Sequence, residues 1–299
     1  MRRMLAAFGV CDCHSHIYGP FDKFPLARTR TFTPPESPIE SLAAVWSRQG
    51  IDRAVLIQGN AYGTDHAALL EAIARDPERR RGVATVAWDV TDEELDFLDR
   101  VGVRAVRFNW VKHLLGKSTL PQEALMAKAL GLMERVNLLG WHAEVHIDAE
   151  DLALVERLPI PSGMVLVVDH MARLDAASKQ TQPLLSRLLK LLEREGVWVK
   201  ISGADRVAAE CASLESAVPI LKSVIRQAPQ RCVWGLDWPH VNLARKRTEV
   251  ELIHLLDSVV PDEVTLRSIL IDNPARLYGF PAAGANQATV IAHQGVIRR

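Results

Sequence analysis

Three short stretches of this 299-residue chain carry ionisable side chains in patterns suited to acid–base or electrophilic chemistry. The first is Asp12-Cys13-His14-Ser15-His16. In an extended segment side chains alternate, which would put Asp12, His14 and His16 on one face and Cys11, Cys13 and Ser15 on the other. Two imidazoles on one face suit a divalent metal or a polarised carbonyl, against the alternative of packed core histidines. Cys11 and Cys13 would leave by the opposite face, which speaks against a thiol-rich zinc tract. The second stretch is Val168-Asp169-His170-Met171, where an apolar run stops at an ionisable pair; a surface-loop histidine is the alternative there. The third is Val233-Trp234-Gly235-Leu236-Asp237-Trp238-Pro239-His240. Trp234 and Trp238 fit plain packing, whereas the Asp237 carboxylate is the first choice for proton transfer.

These stretches need elements to hold them together. Short apolar runs recur at Val10 to Ile17, Arg53 to Gln58, Gly82 to Ala87, Val103 to Phe108, His142 to Ile147, Val165 to Asp169, Val197 to Ser202 and Cys232 to Leu236. The segments between them have helical spacing, as in Leu125, Ala129, Leu132, Met133 and Val136 or in Leu184, Leu185, Leu188, Leu191 and Leu192. Thr64, Thr91 and Pro121 are plausible helix starts. Unbroken strand–helix alternation implies a parallel sheet buried on both faces, and the right-handed crossover rule lets it close. The expectation is an α/β fold, a (β/α)8 TIM barrel spanning residues 1–282, with a flexible tail over 283–299. An open doubly wound sheet competes, but no Gly-rich phosphate loop follows the first strand, and polar residues gather at the ends of several strands.

Composition narrows the partners. Lysine plus arginine and aspartate plus glutamate both number 36, so no net field concentrates nucleic acid or anionic lipid. No run approaches the roughly 18 apolar residues of a membrane span. Cys11, Cys13, Cys211 and Cys232 are too few and scattered for a disulfide framework, and the N-terminus lacks a secretory pattern, which reads as a reduced cytoplasmic protein.

Asp12-x-His14-x-His16, Tyr18-Gly19-Pro20, Phe24-Pro25, Arg107-Phe108-Asn109, Asp169-His170-Met171 and Trp234-Gly235-x-Asp237-Trp238-Pro239-His240 follow one another in that order. Together they resemble the 2-pyrone-4,6-dicarboxylate lactonase group of the amidohydrolase superfamily. The likeness runs from Val10 to Asn273-Pro274-x-Arg276-Leu277-Tyr278. It implies a barrel hydrolase that opens a lactone with water, in that group commonly without a required metal. By the same likeness His14, His16 and His170 would polarise the lactone carbonyl and Asp237 would serve as general base. Arg107 and Arg206 would hold a substrate carboxylate, a task that suits a planar guanidinium. Asn60 would contact the same ligand, and His113, His146 and His240 complete the expected substrate-binding set.

The chain departs from that group at three places. It has His113 in place of a second clamp arginine, and Phe32 and His146 where tyrosines would touch substrate. A muconolactone or sugar-acid lactone therefore stands beside a pyrone dicarboxylate as the small-molecule partner. His146 also opens a metal reading, in which His14, His16, His146 and Asp237 hold a single divalent ion such as zinc. A lactone isomerase, a zinc-dependent decarboxylase or hydrolase, and a non-catalytic barrel remain as alternatives, and a homo-oligomer stays open.

Overall fold

The computed structural model describes residues 9–112, 114, 122–209, 213–243 and 245–281. The tail expected at 283–299, Pro121, His113 and Cys211 lie outside the described residues. Eight strands form one sheet in sequence order: β1 (Cys11–Ser15), β2 (Arg53–Ile57), β3 (Arg80–Ala84), β4 (Val103–Asn109), β5 (His142–His146), β6 (Leu166–Val168), β7 (Val197–Lys200) and β8 (Cys232–Val233). Every neighbouring pair is parallel. The chain beyond β8 returns to β1 through backbone hydrogen bonds: Cys13 N to Trp234 O (2.9 Å), His16 N to Trp238 O (2.8 Å) and Asp237 N to His14 O (2.6 Å). The result is the (β/α)8 barrel that the alternation implied.

Helices run outside this ring, beginning with α1 (Ile39–Gln49), α2 (Ala67–Ala74), α3 (Asp92–Val101), α4 (Gln122–Leu138), α5 (Leu152–Arg157) and α6 (Thr181–Leu191). They continue with α7 (Ala204–Val207), α8 (Val218–Gln227), α9 (Glu249–Val259), α10 (Glu263–Arg267) and α11 (Asn273–Tyr278). The longer ones bury an apolar stripe, as α1 does through Ile39, Leu42, Val45 and Trp46. Thr91 caps α3 in a full capping box, as its spacing to Glu94 foretells. Thr64 caps nothing, because α2 begins only after His66. Among the described residues no helix is long and apolar enough to cross a membrane.

Strand 1 departs from simple alternation. Asp12 pairs with Ala54 and Ser15 with Leu56, so three steps of β1 face two of β2 and the register shifts by one residue. The expected sharing of a face by Asp12 with His14 and His16 therefore fails. Asp12 turns toward the helices, where its carboxylate accepts from Trp46 Nε1 (2.9 Å), Ser15 Oγ (2.6 Å) and Leu236 N (2.9 Å). Cys11 and Cys13 point into the ring, packed with Val55, Val83, Val167 and Tyr278. The extra residue then returns His14 and His16 to the interior, farther along the strand than the thiols. Asp12 is thus a buried staple across the barrel seam, and burial raises its pKa against those hydrogen bonds.

Candidate active site

Above the apolar plug of the barrel lies a layer of buried charge. Lys200, on β7, is fully buried with its ammonium 2.6 Å from Glu144 Oε2 on β5, 3.4 Å from Asp169 Oδ1 and 3.1 Å from His14 Nδ1. Glu144 also accepts from Tyr278 OH at 2.9 Å, which ties this layer to the helix closing the base. Burial pushes Glu144 up, yet the ammonium and the His142 ring hold its pKa down at about 2. Arg107 Nε donates to Asp169 Oδ2 at 2.7 Å.

The next layer holds the chemistry. Asp237 Oδ1 is buried and accepts no hydrogen bond, and imidazole Nε2 atoms surround it at 3.8 Å (His14), 3.7 Å (His16) and 3.9 Å (His170). His14 Nε2 is likewise unpartnered. Asp237 Oδ2 accepts from Arg206 Nε. Burial pushes the Asp237 carboxyl up, but Arg206 and the histidines outweigh it and hold it well below the ordinary range, so it is ionised. Burial and the Lys200 charge hold His14 well below the ordinary histidine value, and burial takes His170 down to about 4. Both rings are neutral near pH 7.

The strand ends aim these groups by special backbone. His170 to Arg173 all adopt left-handed φ of 50–55°, a short turn immediately after β6. Asp237 (φ 59°) and His240 (φ 57°) do the same beyond β8. β8 ends at Val233, short of the expected Leu236. Two glycines make room. A Cβ on Gly235 would lie 2.3 Å from His14 N, and one on Gly203 would lie 2.8 Å from His170 Nδ1.

Hydrogen bonds separate the histidines by protonation. His16 Nδ1 lies 2.9 Å from the Ile57 carbonyl, which can only accept, so the neutral ring carries its proton on Nδ1 and presents a bare Nε2. His170 Nδ1 pairs with Ser202 Oγ at 3.0 Å. The open mouth, with about 390 Å³ of space that extends into solvent, is lined by Asn60, Arg107, His146, Arg173 and Arg206 beside His16, His170 and Asp237, with His14 buried behind them. Of the expected substrate residues, these include all but His240 and His113. His240 is buried with Nδ1 3.1 Å from Asp205 Oδ2 and does not line the cavity.

The sequence profile described as Amidohydrolase matches residues 11–280. The chain belongs to the amidohydrolase family. This amidohydrolase is 33% identical over 280 residues to the 2-pyrone-4,6-dicarboxylate hydrolase of Comamonas testosteroni, across 90% of each chain. It is 32% identical over 288 residues to the 4-sulfomuconolactone hydrolase of Hydrogenophaga intermedia, across 93% of this chain and 91% of that protein. Among solved structures, a putative 2-pyrone-4,6-dicarboxylic acid hydrolase from Pseudomonas putida matches with a TM-score of 0.78 and 28% identity, over 91% of this chain and 98% of that one.

Clustered histidines invite a metal, and among the described residues two sets have their ligand atoms within 4.8 Å of one another: His14, His16 and Asp237, and His14, Asp169 and His170. His146, expected as a fourth ligand, belongs to neither set. Spacing fits one ion, but the donor chemistry at His14 does not. A metal-bound imidazole needs an acceptor at its other nitrogen, and His14 Nδ1 lies 3.1 Å from the Lys200 ammonium, whereas the Asp169 Oδ1 carboxylate oxygen is 3.7 Å away, beyond hydrogen-bond reach. Arg173 and Lys200 were not anticipated from sequence. A lysine ending the apolar run Val197-Trp198-Val199-Lys200, where alternation turns it inward beside Trp198, is the signal that would have found the second.

Proposed function

We propose that this amidohydrolase opens a carboxylated lactone by hydrolysis. The observation that carries the reading is the ionised, unpartnered Asp237 Oδ1 ringed by imidazole nitrogens at 3.7–3.9 Å in the barrel mouth. A water held there donates to Asp237 Oδ1 and to the bare Nε2 of His16. The lactone carbonyl oxygen sits against Nε2–H of His14 and the His170 ring. Asp237 takes a proton as the water oxygen bonds to the carbonyl carbon, and the histidines stabilise the oxyanion. Each preorganised donor of this kind contributes on the order of 3 kcal/mol. The ring C–O bond then breaks, and Asp237 returns the proton to the leaving oxygen.

The anion site follows from the remaining lining residues. Arg107 donates its Nε to Asp169, Arg206 donates its Nε to Asp237 and its Nη1 to the Val241 carbonyl at 3.2 Å, and both residues line the mouth. They hold the substrate carboxylate, with Asn60 and His146 contacting its ring. A reduced cytoplasmic setting suits the buried free thiols of Cys11, Cys13 and Cys232. Both curated relatives described above are named for hydrolysis of carboxylated or sulfonated ring compounds, which supports the substrate class.

Pyrone dicarboxylate, muconolactone and aldarolactone panels test this directly, with product NMR to distinguish ring opening from isomerisation, which would leave a lactone. Asp237→Asn should lower kcat at least about 10²-fold while the fold melts normally. Full turnover by that variant, or no ring opening on any of the three classes, would sink the proposal.

A further inference from the structure

We infer that Lys200 is a positioning residue that locks His14 in the tautomer with its proton on Nε2, which makes His14 a donor to the reacting oxygen and keeps a divalent cation out of the cluster. The ammonium has only protons to offer. At 3.1 Å from His14 Nδ1 it donates there, and the single proton of the neutral ring is left to Nε2. That Nε2 is buried, unpartnered and directed at the space it shares with Asp237 Oδ1. A metal ion at the same nitrogen would drive the proton to Nδ1 and set two donors against each other.

One acceptor competes at His14 Nδ1: Asp169 Oδ1 lies 3.7 Å from it, beyond hydrogen-bond reach, and nearer the Lys200 ammonium at 3.4 Å. That ammonium is fully buried and faces the Glu144 and Asp169 carboxylates as well as His14. The pair is fixed from both sides, Glu144 by Tyr278 OH and His142, Asp169 by Arg107. The layer thus holds the cations Lys200 and Arg107 against the anions Glu144 and Asp169. His16 differs in the same geometry, since the Ile57 carbonyl leaves its Nε2 bare. Neighbouring histidines are given opposite polarity by what lies behind them: an ammonium behind one and a carbonyl behind the other.

The donor role of His14 rests on the proposed lactone chemistry, whereas the tautomer and the cation exclusion do not, so they are tested without substrate. Full-length protein, wild type and Lys200→Met, is titrated with zinc, and ¹⁵N-labelled histidines are read by NMR with His14→Gln as the assignment control. Wild type should show His14 protonated at Nε2 and no stoichiometric zinc. Lys200→Met should mix the tautomers, bind zinc at least about tenfold more tightly, and lose about 10- to 100-fold in kcat with KM nearly unchanged. Where Lys200→Met leaves Glu144 unpaired and does not fold, Lys200→Met with Glu144→Gln removes both charges and carries the same test. Stoichiometric zinc in wild type that His14→Gln abolishes would overturn the inference, as would an Nδ1-protonated His14 or a Lys200 variant with unchanged tautomer and zinc affinity. An inactive wild type with the expected NMR and zinc results would instead count against the lactone reading alone.

Discussion

Burial favours the neutral form of both Asp237 and His170, and the charges beside them separate their protonation states. Arg206 lets the carboxylate ionise well below its usual range, while the ring, with its pKa at about 4, stays neutral. Asp237 and His170 are therefore in their working protonation states from neutral pH down to mildly acidic solution. A profile of kcat/KM should be flat toward neutrality and fall as pH drops toward about 4; a break near 6.5 would show that His170 is solvated as in a free peptide. Stability has the matching sign. His170 binds a proton more readily unfolded, so its contribution erodes as pH falls below about 6.5 and is lost by about 4, on the order of 3 kcal/mol. Melting followed between pH 7 and pH 4 checks it. The identities of these groups were legible in Asp12-x-His14-x-His16, Asp169-His170 and Asp237. Their proton positions were not, because a tautomer is set by the atom behind the ring, as Ile57 and Lys200 demonstrate.

The turn after β6 is where element geometry decides function. Four consecutive non-glycine residues, His170 to Arg173, hold left-handed φ, a conformation costing roughly 1–2 kcal/mol each. Tertiary contacts keep it: Asp169 to Arg107, His170 to Ser202, and Arg173 Nε to Asp148 at 2.8 Å. Gly203, at the start of α7, supplies the space for the imidazole. Gly203→Ala would set a methyl 2.8 Å from His170 Nδ1 on a backbone of φ 70°. It should lower kcat/KM by about 10²-fold through a shift of the ring by less than its own width. Steady-state kinetics beside a thermal melt decide the matter; near-normal activity would mean His170 need not be held. The strand and helix order was readable from apolar spacing, yet the bulge in β1 was not. Asp12-Cys13-His14-Ser15-His16 satisfies an alternating pattern in either register, and the seam with Leu236 and Trp46 selects the one observed.

Closure of the ring joins base and mouth into one structure. Asn273, at the start of α11, donates to the Pro229 and Cys232 carbonyls at 2.9 and 2.8 Å, and Tyr278 at the other end of that helix reaches Glu144. Through Tyr278, α11 thereby closes the barrel base below the charged layer that orients His14. Asn273→Ala leaves two carbonyls short of a donor and should cost about 1–3 kcal/mol, a loss of several degrees in Tm. Differential scanning calorimetry measures it, and kcat well below Tm should be little changed. An unaltered Tm would show that α11 is held by its apolar contacts alone.

Composition, apolar period and motif order were enough to give the barrel and the histidine and aspartate set, because the period is read within each segment and the motifs carry the residue identities. The burial of Lys200 against His14, the outward turn of Asp12 and the withdrawal of His240 behind Asp205 arise between segments separated by up to 224 positions. Only a closed ring brings such segments within hydrogen-bonding distance, and no local pattern encodes which side chain will stand behind which.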